Sequence, residues 1–349
     1  MTRVLAIETS CDETSAAVLD GTGDSTSLRS LVILSQDVHR VYGGVVPELA
    51  SRAHLTAIEP VTRRALAEAG ADLESVDVFA ATMGPGLVGA LLVGVGFVKA
   101  LAFARQRPLV GVHHMEGHLF ATSLEHAQAV PPFTALLVSG GHTLLMDVEA
   151  WGRYRILGRT RDDAAGEAFD KVAKKLGLPY PGGPHLERLA KDGRAGRVRF
   201  TRPMLRKNQT PSDPDYYDMS FSGLKTAVVT EIEKSEIGNG KSNHAADIAF
   251  AFQDALVETL VEKTARAAEQ YRRDRVVLGG GVACNKTLVN AMTERMATLG
   301  ANVYAPTARL ATDNAAMIAR AALFHFEYGR RDGLDLNAYA TLAIPGLIA

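Results

Sequence analysis

The chain has 349 residues, 47% of them hydrophobic and 22% charged, which is enough apolar material for a large core and enough length for two lobes. A formal net charge of −1 excludes a surface that attracts nucleic acid as a whole, and two distant cysteines, Cys11 and Cys284, exclude a disulfide framework. The first apolar run is too short for a signal peptide and is cut off by Glu8 and Asp12, so a cytoplasmic location with no membrane partner is expected.

Val4 to Glu8 reads as a strand, followed by a polar bend at Thr9-Ser10-Cys11-Asp12-Glu13-Thr14 and a second strand from Ser15 to Leu19. Leu31 to Ser35 makes a third. A helix is predicted from about Pro47 to Ala69, then a strand Val78 to Thr82, the turn Met83-Gly84-Pro85-Gly86, a helix to about Ala104 and a strand Leu109 to Val112. The glycine-rich stretch from Leu87 to Leu101 is the longest apolar run; Lys99 and the flanking strand and turn signals favour a buried helix over a membrane span.

The second half repeats this order. Strands are predicted at Thr134 to Val138, Thr143 to Val148 and near Tyr154 to Gly158, the first two joined by Ser139-Gly140-Gly141-His142. After helices and an insertion come a long helix from about Ala246 to Tyr271, a strand Val276 to Leu278, the turn Gly279-Gly280-Gly281, a helix from about Cys284, a strand Asn302 to Tyr304 and a last helix opening at Thr312-Asp313-Asn314. Two βββαβαβα units predict a duplicated α/β fold, with an N-terminal lobe over 1–127 and a C-terminal lobe over 128–349 that carries a helical, basic insertion at about 160–245. The order is that of the ribonuclease H-like lobes of actin, Hsp70-type ATPases and sugar kinases, which enclose a nucleotide in a central cleft.

His114 and His118, four residues apart at a helix start, share one face and can bind one metal ion. In zinc peptidases a Glu follows the first His; here Met115 stands there, and Glu116, two residues from either His, points away from their face. Two ordinary hydrogen-bonded histidines would share the same spacing. The duplication places Asp313 at the start of the matching helix of the second lobe, so the three side chains converge if the lobes face each other; an N-cap is the plainer role for such an Asp.

Several loops suit a nucleotide. The glycines of Ser139-Gly140-Gly141-His142-Thr143 free backbone N–H groups to meet an anion, and Gly279-Gly280-Gly281 lies between strand and helix, where phosphate or ribose approaches closely. Asn285 can bond a base or sugar, or simply cap its helix. Asp170 can accept ribose hydroxyls, or pair with Lys171, and Tyr180-Pro181-Gly182-Gly183-Pro184 is a rigid turn. No Walker A sequence is present. Lys191, Arg194, Arg197, Arg199, Arg202, Arg206 and Lys207 stand against Asp192 alone, a run that suits tRNA phosphates or a solvated face.

Taken together, Ile7-Glu8-Thr9-Ser10-Cys11-Asp12-Glu13-Thr14, His113-His114-Met115-Glu116-Gly117-His118, Val138-Ser139-Gly140-Gly141-His142-Thr143, Ser220-Phe221-Ser222-Gly223-Leu224-Lys225 and Gly279-Gly280-Gly281-Val282-Ala283-Cys284-Asn285 resemble the bacterial tRNA N6-adenosine threonylcarbamoyltransferase family, from Val4 to about Ala319. The resemblance implies transfer of a threonylcarbamoyl group from threonylcarbamoyl-adenylate to the adenosine next to a tRNA anticodon, with release of AMP. It implies one divalent metal per subunit, Fe(2+) ahead of Zn(2+), on His114, His118 and Asp313. It assigns the adenylate to Leu137, Val138, Ser139, Gly140, Gly141, Asp170, Gly183 and Asn285, and puts Asp12 and Glu13 near the reacting carbonyl, where either carboxylate can take the amine's proton. tRNA, an inactive paralogous subunit and a small P-loop ATPase are the implied partners. Glu187 stands where relatives often carry Asp, and the loop from Arg206 to Asp218 is long for the family. A metallopeptidase, a kinase of the same fold and a non-catalytic tRNA-binding scaffold are the competing readings.

Overall fold

The computed structural model describes residues 1–42, 44–234 and 242–348, and the chain forms two compact units, Met1–Gln128 with Thr312–Pro345 and Ala129–Ala311 with Gly346–Ala349. The first unit holds a mixed sheet of β1 (Thr2–Glu8), β2 (Glu13–Thr22), β3 (Ser25–Ser35), β4 (Val78–Gly84) and β5 (Leu109–His113), in the order β3-β2-β1-β4-β5. The β1–β2 and β2–β3 pairs are antiparallel, whereas β4 runs parallel to both β1 and β5. Central β1 is buried on both faces, which is why Val4-Leu5-Ala6-Ile7 is apolar without alternation.

One face of the sheet is covered by α1 (Pro47–Glu68) and α2 (Val88–Arg105): Leu5 and Ile7 share a core with Ile58, Val61, Leu91 and Val95. The apolar face of α1 is thus spent on packing. By length and composition alone α2 is long and apolar enough to cross a bilayer. Here it lays Ala90, Leu91, Val95, Val98 and Ala102 on the core, and Lys99 Nζ donates to the Leu336 carbonyl at 3.0 Å. The short α3 (His114–Ala121) follows β5 directly.

The second unit holds β6 (Phe133–Val138), β7 (Thr143–Ala150), β8 (Arg153–Arg159), β9 (Arg275–Gly279) and β10 (Asn302–Tyr304), in the order β10-β9-β6-β7-β8. Read from β8, this is the first sheet's order again, so the duplication is present at the level of strand pairing. Its helices are α4 (Ala165–Lys175), α5 (Gly182–Ala190), α6 (Ser222–Lys234), α7 (Ser242–Gln270), α8 (Lys286–Ala297) and α9 (Ala308–Ala311). Leu136, Val138 and Leu278 of the sheet pack with Phe169, Phe221, Phe252, Leu256 and Met292. The expected insertion corresponds to α4 through the start of α7; its residues 235–241 lie outside the described residues.

Much of the basic run is neutralised locally. Arg194 forks onto Asp247, Arg202 bridges Asp254 and Glu258, and Arg206 forks onto Asp215. The 206–218 loop is tied down further by Lys263, which is fully buried and donates to the carbonyls of Asp215 and Tyr216 at 2.8 and 2.7 Å. That loop is a packed polar cluster on α7.

The last helix, α10 (Ala315–Glu327), departs from the expected lobe assignment, which placed all of 128–349 together. It belongs to the first unit and packs on β1, β2, β5 and α3. The reason is its composition: Ala315 through Leu323 are buried without a break, so no side of the helix can face water. Even Arg320 is enclosed, bonded to Asp24 at 2.6 Å and stacked over the Phe120 ring.

Candidate functional site

Where β5 gives way to α3, His113 Nδ1 accepts from the Met115 amide at 3.2 Å and starts the helix. One turn then places the rings of His114 and His118 edge to face, centroids 4.8 Å apart. Their Nε2 atoms lie 3.5 and 3.2 Å from the same oxygen, Oδ1 of Asp313. All three ligand atoms fall within 4.8 Å of one another. A tetrahedron with bonds of about 2.1 Å has edges of roughly 3.4 Å, so only small side-chain shifts are needed to share an ion. The donor set, two imidazole nitrogens and one carboxylate with the remaining positions open, fits Fe(2+) or Zn(2+).

Asp313 reaches this point from inside the first unit, not from an opposing lobe as the duplication suggested. Nor is it an N-cap. Asn314 takes that task, accepting from the Met317 amide at 3.1 Å, while the Ala315 amide donates to Ser15 Oγ of β2 at 3.0 Å. Asp313 is thereby left to turn toward the histidines. Gly117 eases the approach, since a Cβ there would lie 2.9 Å from Ile318 Cδ1 of α10 and that side chain would have to shift. Glu116, on the far side of α3, is fully buried and paired with His325 Nε2 at 2.7 Å, so it cannot serve as a peptidase base beside the metal.

A cluster of acids surrounds the centre. Burial alone would lower the His114 pKa, yet the carboxylates of Asp313 and Glu8 overcome it and raise it to about 9. The pocket therefore favours a positive charge. Glu13, at the start of β2, is pushed up to about 9 by burial, then by Asp313 and Asp12. Burial, the largest of these causes, keeps its proton in place at neutral pH. Glu8 was missed by motif reading: it is the last residue of β1, fully buried, with Oε2 3.3 Å from His114 Nδ1. Its signal was a carboxylate closing an otherwise apolar strand.

In the second unit, parallel pairing of β6 with β9 sets Leu137 opposite Gly279 and so brings two turns side by side. Leu137 and Val138 are fully buried, leaving only their main chain for a ligand. Ser139 N donates to the His142 carbonyl at 2.9 Å, which closes the hairpin with Gly140 and Gly141 exposed at its tip. A Cβ on Gly140, Gly141, Gly183 or Gly281 would meet nothing within 4 Å. Gly280 differs: its φ is +86° and a Cβ would sit 2.4 Å from the Val138 carbonyl oxygen. Gly280→Ala is expected to cost about 2–4 kcal/mol of stability, against less than about 1 kcal/mol for Gly281→Ala, measured as paired thermal or denaturant unfolding. Equal values would remove the close-approach argument.

The remaining ligand candidates carry structural duties as well. Asp170 Oδ1 accepts from the Gly182 amide at 2.7 Å and caps α5; burial raises its pKa, opposed by the Gly182 and Gly183 amides. Lys171 pairs with Asp163 and Glu167 rather than Asp170. Asn285 caps α8 through Leu288 N and donates from Nδ2 to Gln253, both at 2.9 Å. Glu187 also holds that helix start, accepting from the amides of Lys286 and Thr287 at 2.8 and 3.2 Å.

Comparison with known proteins agrees with this layout. Residues 27–320 match the family model described as TsaD: tRNA N6-adenosine threonylcarbamoyltransferase. The chain is 61% identical over 350 residues to the tRNA N6-adenosine threonylcarbamoyltransferase of Gemmatimonas aurantiaca, covering 99% of this chain and 98% of that one. It is 50% identical over 337 residues to the protein of the same name from an Anaeromyxobacter species, covering 96% and 98%. Among solved structures, component A of the Acidaminococcus fermentans (R)-2-hydroxyglutaryl-CoA dehydratase superposes with a TM-score of 0.53 at 16% identity, over 94% of this chain and 99% of that one, a likeness of fold alone. Since the model match spans residues 27–320 and the 61% identity extends over 99% of the chain, the chain belongs to the tRNA N6-adenosine threonylcarbamoyltransferase family.

Proposed function

We propose that this protein transfers the threonylcarbamoyl group of threonylcarbamoyl-adenylate to N6 of adenosine 37 in tRNA and releases AMP. Identity of 61% across 99% of the chain to a protein of that name carries the reading. Amides at the 139–141 and 279–281 turns, with Asp170, Gly183 and Asn285, recognise the AMP part. His114, His118 and Asp313 would hold Fe(2+) or Zn(2+), and such an ion would supply Lewis acidity to the reaction.

The donor is a mixed anhydride, so its carbonyl needs little covalent help. The N6 nitrogen bonds to the carbamoyl carbon, the bond from that carbon to the phosphate oxygen breaks, and AMP leaves with the electron pair. Asp12 takes the proton shed by N6. Glu13, in its acid form, donates a hydrogen bond to the carbonyl oxygen as charge develops there. An inactive paralogous subunit and a small P-loop ATPase complete the proposed assembly, on the family resemblance alone. Lys191, Arg199 and Lys207, which form no ion pair among the described residues, are the part of the basic run left for tRNA phosphates, while Arg197 lies near Asp247.

The test supplies adenylate synthase, threonine, bicarbonate, ATP and unmodified tRNA, with and without those partners, and seeks threonylcarbamoyl-adenosine by mass. One AMP should be released per modified tRNA, and a phosphorylated small-molecule product should not form. Absence of the modified nucleoside under every condition overturns the proposal.

A further inference from the structure

The end of β1 holds a carboxylate that the fold itself does not require. Glu8 is fully buried, and its neighbours along β1 are Leu5, Ala6 and Ile7, so an apolar residue there would avoid the cost of desolvating a charge. Both of its oxygens are engaged. Oε1 accepts from the Ser10 amide at 2.5 Å, and Oε2 accepts from Thr82 Oγ1 at 2.5 Å while facing His114 Nδ1 at 3.3 Å. Ser10 Oγ lies 3.2 Å from that same nitrogen.

This row follows from the sheet order. β1, β4 and β5 lie side by side and parallel; Ile7 pairs with Ala81, and Thr82 pairs with Val112. Three adjacent strand ends therefore present Glu8, Thr82 and, at the first residue beyond β5, His114. An ionised carboxylate can only accept, so the imidazole nitrogen facing it must carry the ring proton. In the neutral ring the other nitrogen, Nε2, is then a lone pair, and it is the atom directed at Asp313. Carboxylate partners of this kind fix the tautomer and ring orientation of a metal-binding histidine and raise its basicity.

We infer that Glu8 is a positioning residue of the metal centre: anchored by Thr82 and the Ser10 amide, it holds His114 in the Nδ1–H tautomer and presents Nε2 to the ion. The inference rests on His114, His118 and Asp313 binding metal, and its test separates the two claims. Zn(2+) and Co(2+) affinities of the purified full chain are measured by competition with a chelator, and the His114 tautomer is read from long-range proton–nitrogen NMR spectra of the metal-free protein at about pH 10, where the ring is neutral. Glu8→Gln is expected to weaken metal binding about 10- to 100-fold and to mix the His114 tautomers, with the fold checked by circular dichroism. The gentler Thr82→Val, which frees one side of Glu8, should weaken binding about 3- to 10-fold and decides the matter if Glu8→Gln does not fold. Wild-type protein that binds neither ion overturns the metal reading itself. Wild-type binding with unchanged affinity and tautomer in a folded Glu8→Gln protein, or unchanged affinity in Thr82→Val where Glu8→Gln is unfolded, overturns the role of Glu8 alone.

Discussion

His118→Ala is expected to empty the metal centre and to lower single-turnover transfer from preformed adenylate about 10²- to 10⁴-fold, the span of several kcal/mol of lost charge stabilisation. The side chain is fully buried and its Nε2 lies 3.2 Å from Asp313 Oδ1, so its loss removes one of the three donors from within the site. Two donors would remain, His114 and Asp313. Metal content and rate should fall together, and a metal-free variant that transfers at the wild-type rate would sink the assignment. The centre also makes a pH prediction whose sign can be worked out. In metal-free protein both His114 and Glu13 have folded pKa values of about 9, above their ordinary 6.5 and 4.5. The folded state then binds more protons than the unfolded one between about pH 4.5 and 9, and its stability falls as pH rises through that window. A bound cation takes the place of the second ring proton of His114. The rise in melting temperature on adding Zn(2+) should therefore be larger at pH 8.5 than at pH 6, and a rise independent of pH would contradict the acidic cluster.

Asp12→Asn is expected to reduce transfer about 10²- to 10⁴-fold, the usual worth of a positioned base, whereas Glu13→Gln should cost less than about tenfold. The two carboxylates are adjacent in sequence, yet their roles divide on environment. Glu13 is held in its acid form by burial and by Asp313 and Asp12, and an amide can donate the same hydrogen bond as a protonated carboxyl. Asp12 lies one residue earlier, at the bend that joins β1 to β2, and is half-buried as Glu13 is. Single-turnover rates with saturating tRNA and adenylate would separate the cases. If Glu13→Gln is the more damaged protein, the proton goes to Glu13 and the assignment is reversed.

Most of the fold was legible because its signals are local. Strand and helix periods located every strand of both sheets, and their order disclosed the duplication that the strand pairing repeats. The His114 and His118 spacing announced a shared helical face, and the position of Glu116 announced that it would look elsewhere, as its pairing with His325 shows. Charge patterns were less informative. Seven cations in the run from Lys191 to Lys207 read as a surface for polyanions, but Arg194, Arg202 and Arg206 are matched by Asp247, Asp254, Glu258 and Asp215, residues from which nothing in the linear run announces a partner.

By itself the sequence determined the element order, the duplicated sheets, the residue types of a metal centre and the two glycine turns, since each depends on side chains a few positions apart. Tertiary structure alone decided which unit receives α10. Its largely apolar, continuously buried stretch must be covered on every side, and it finds that cover on the first sheet and α3. That choice brings Asp313 to the histidines within one unit, leaves the cap to Asn314, and closes the pocket in which Glu8 meets His114. Burial is a property of long-range packing, and only burial turns these acids and imidazoles from ordinary surface residues into a site that favours a cation.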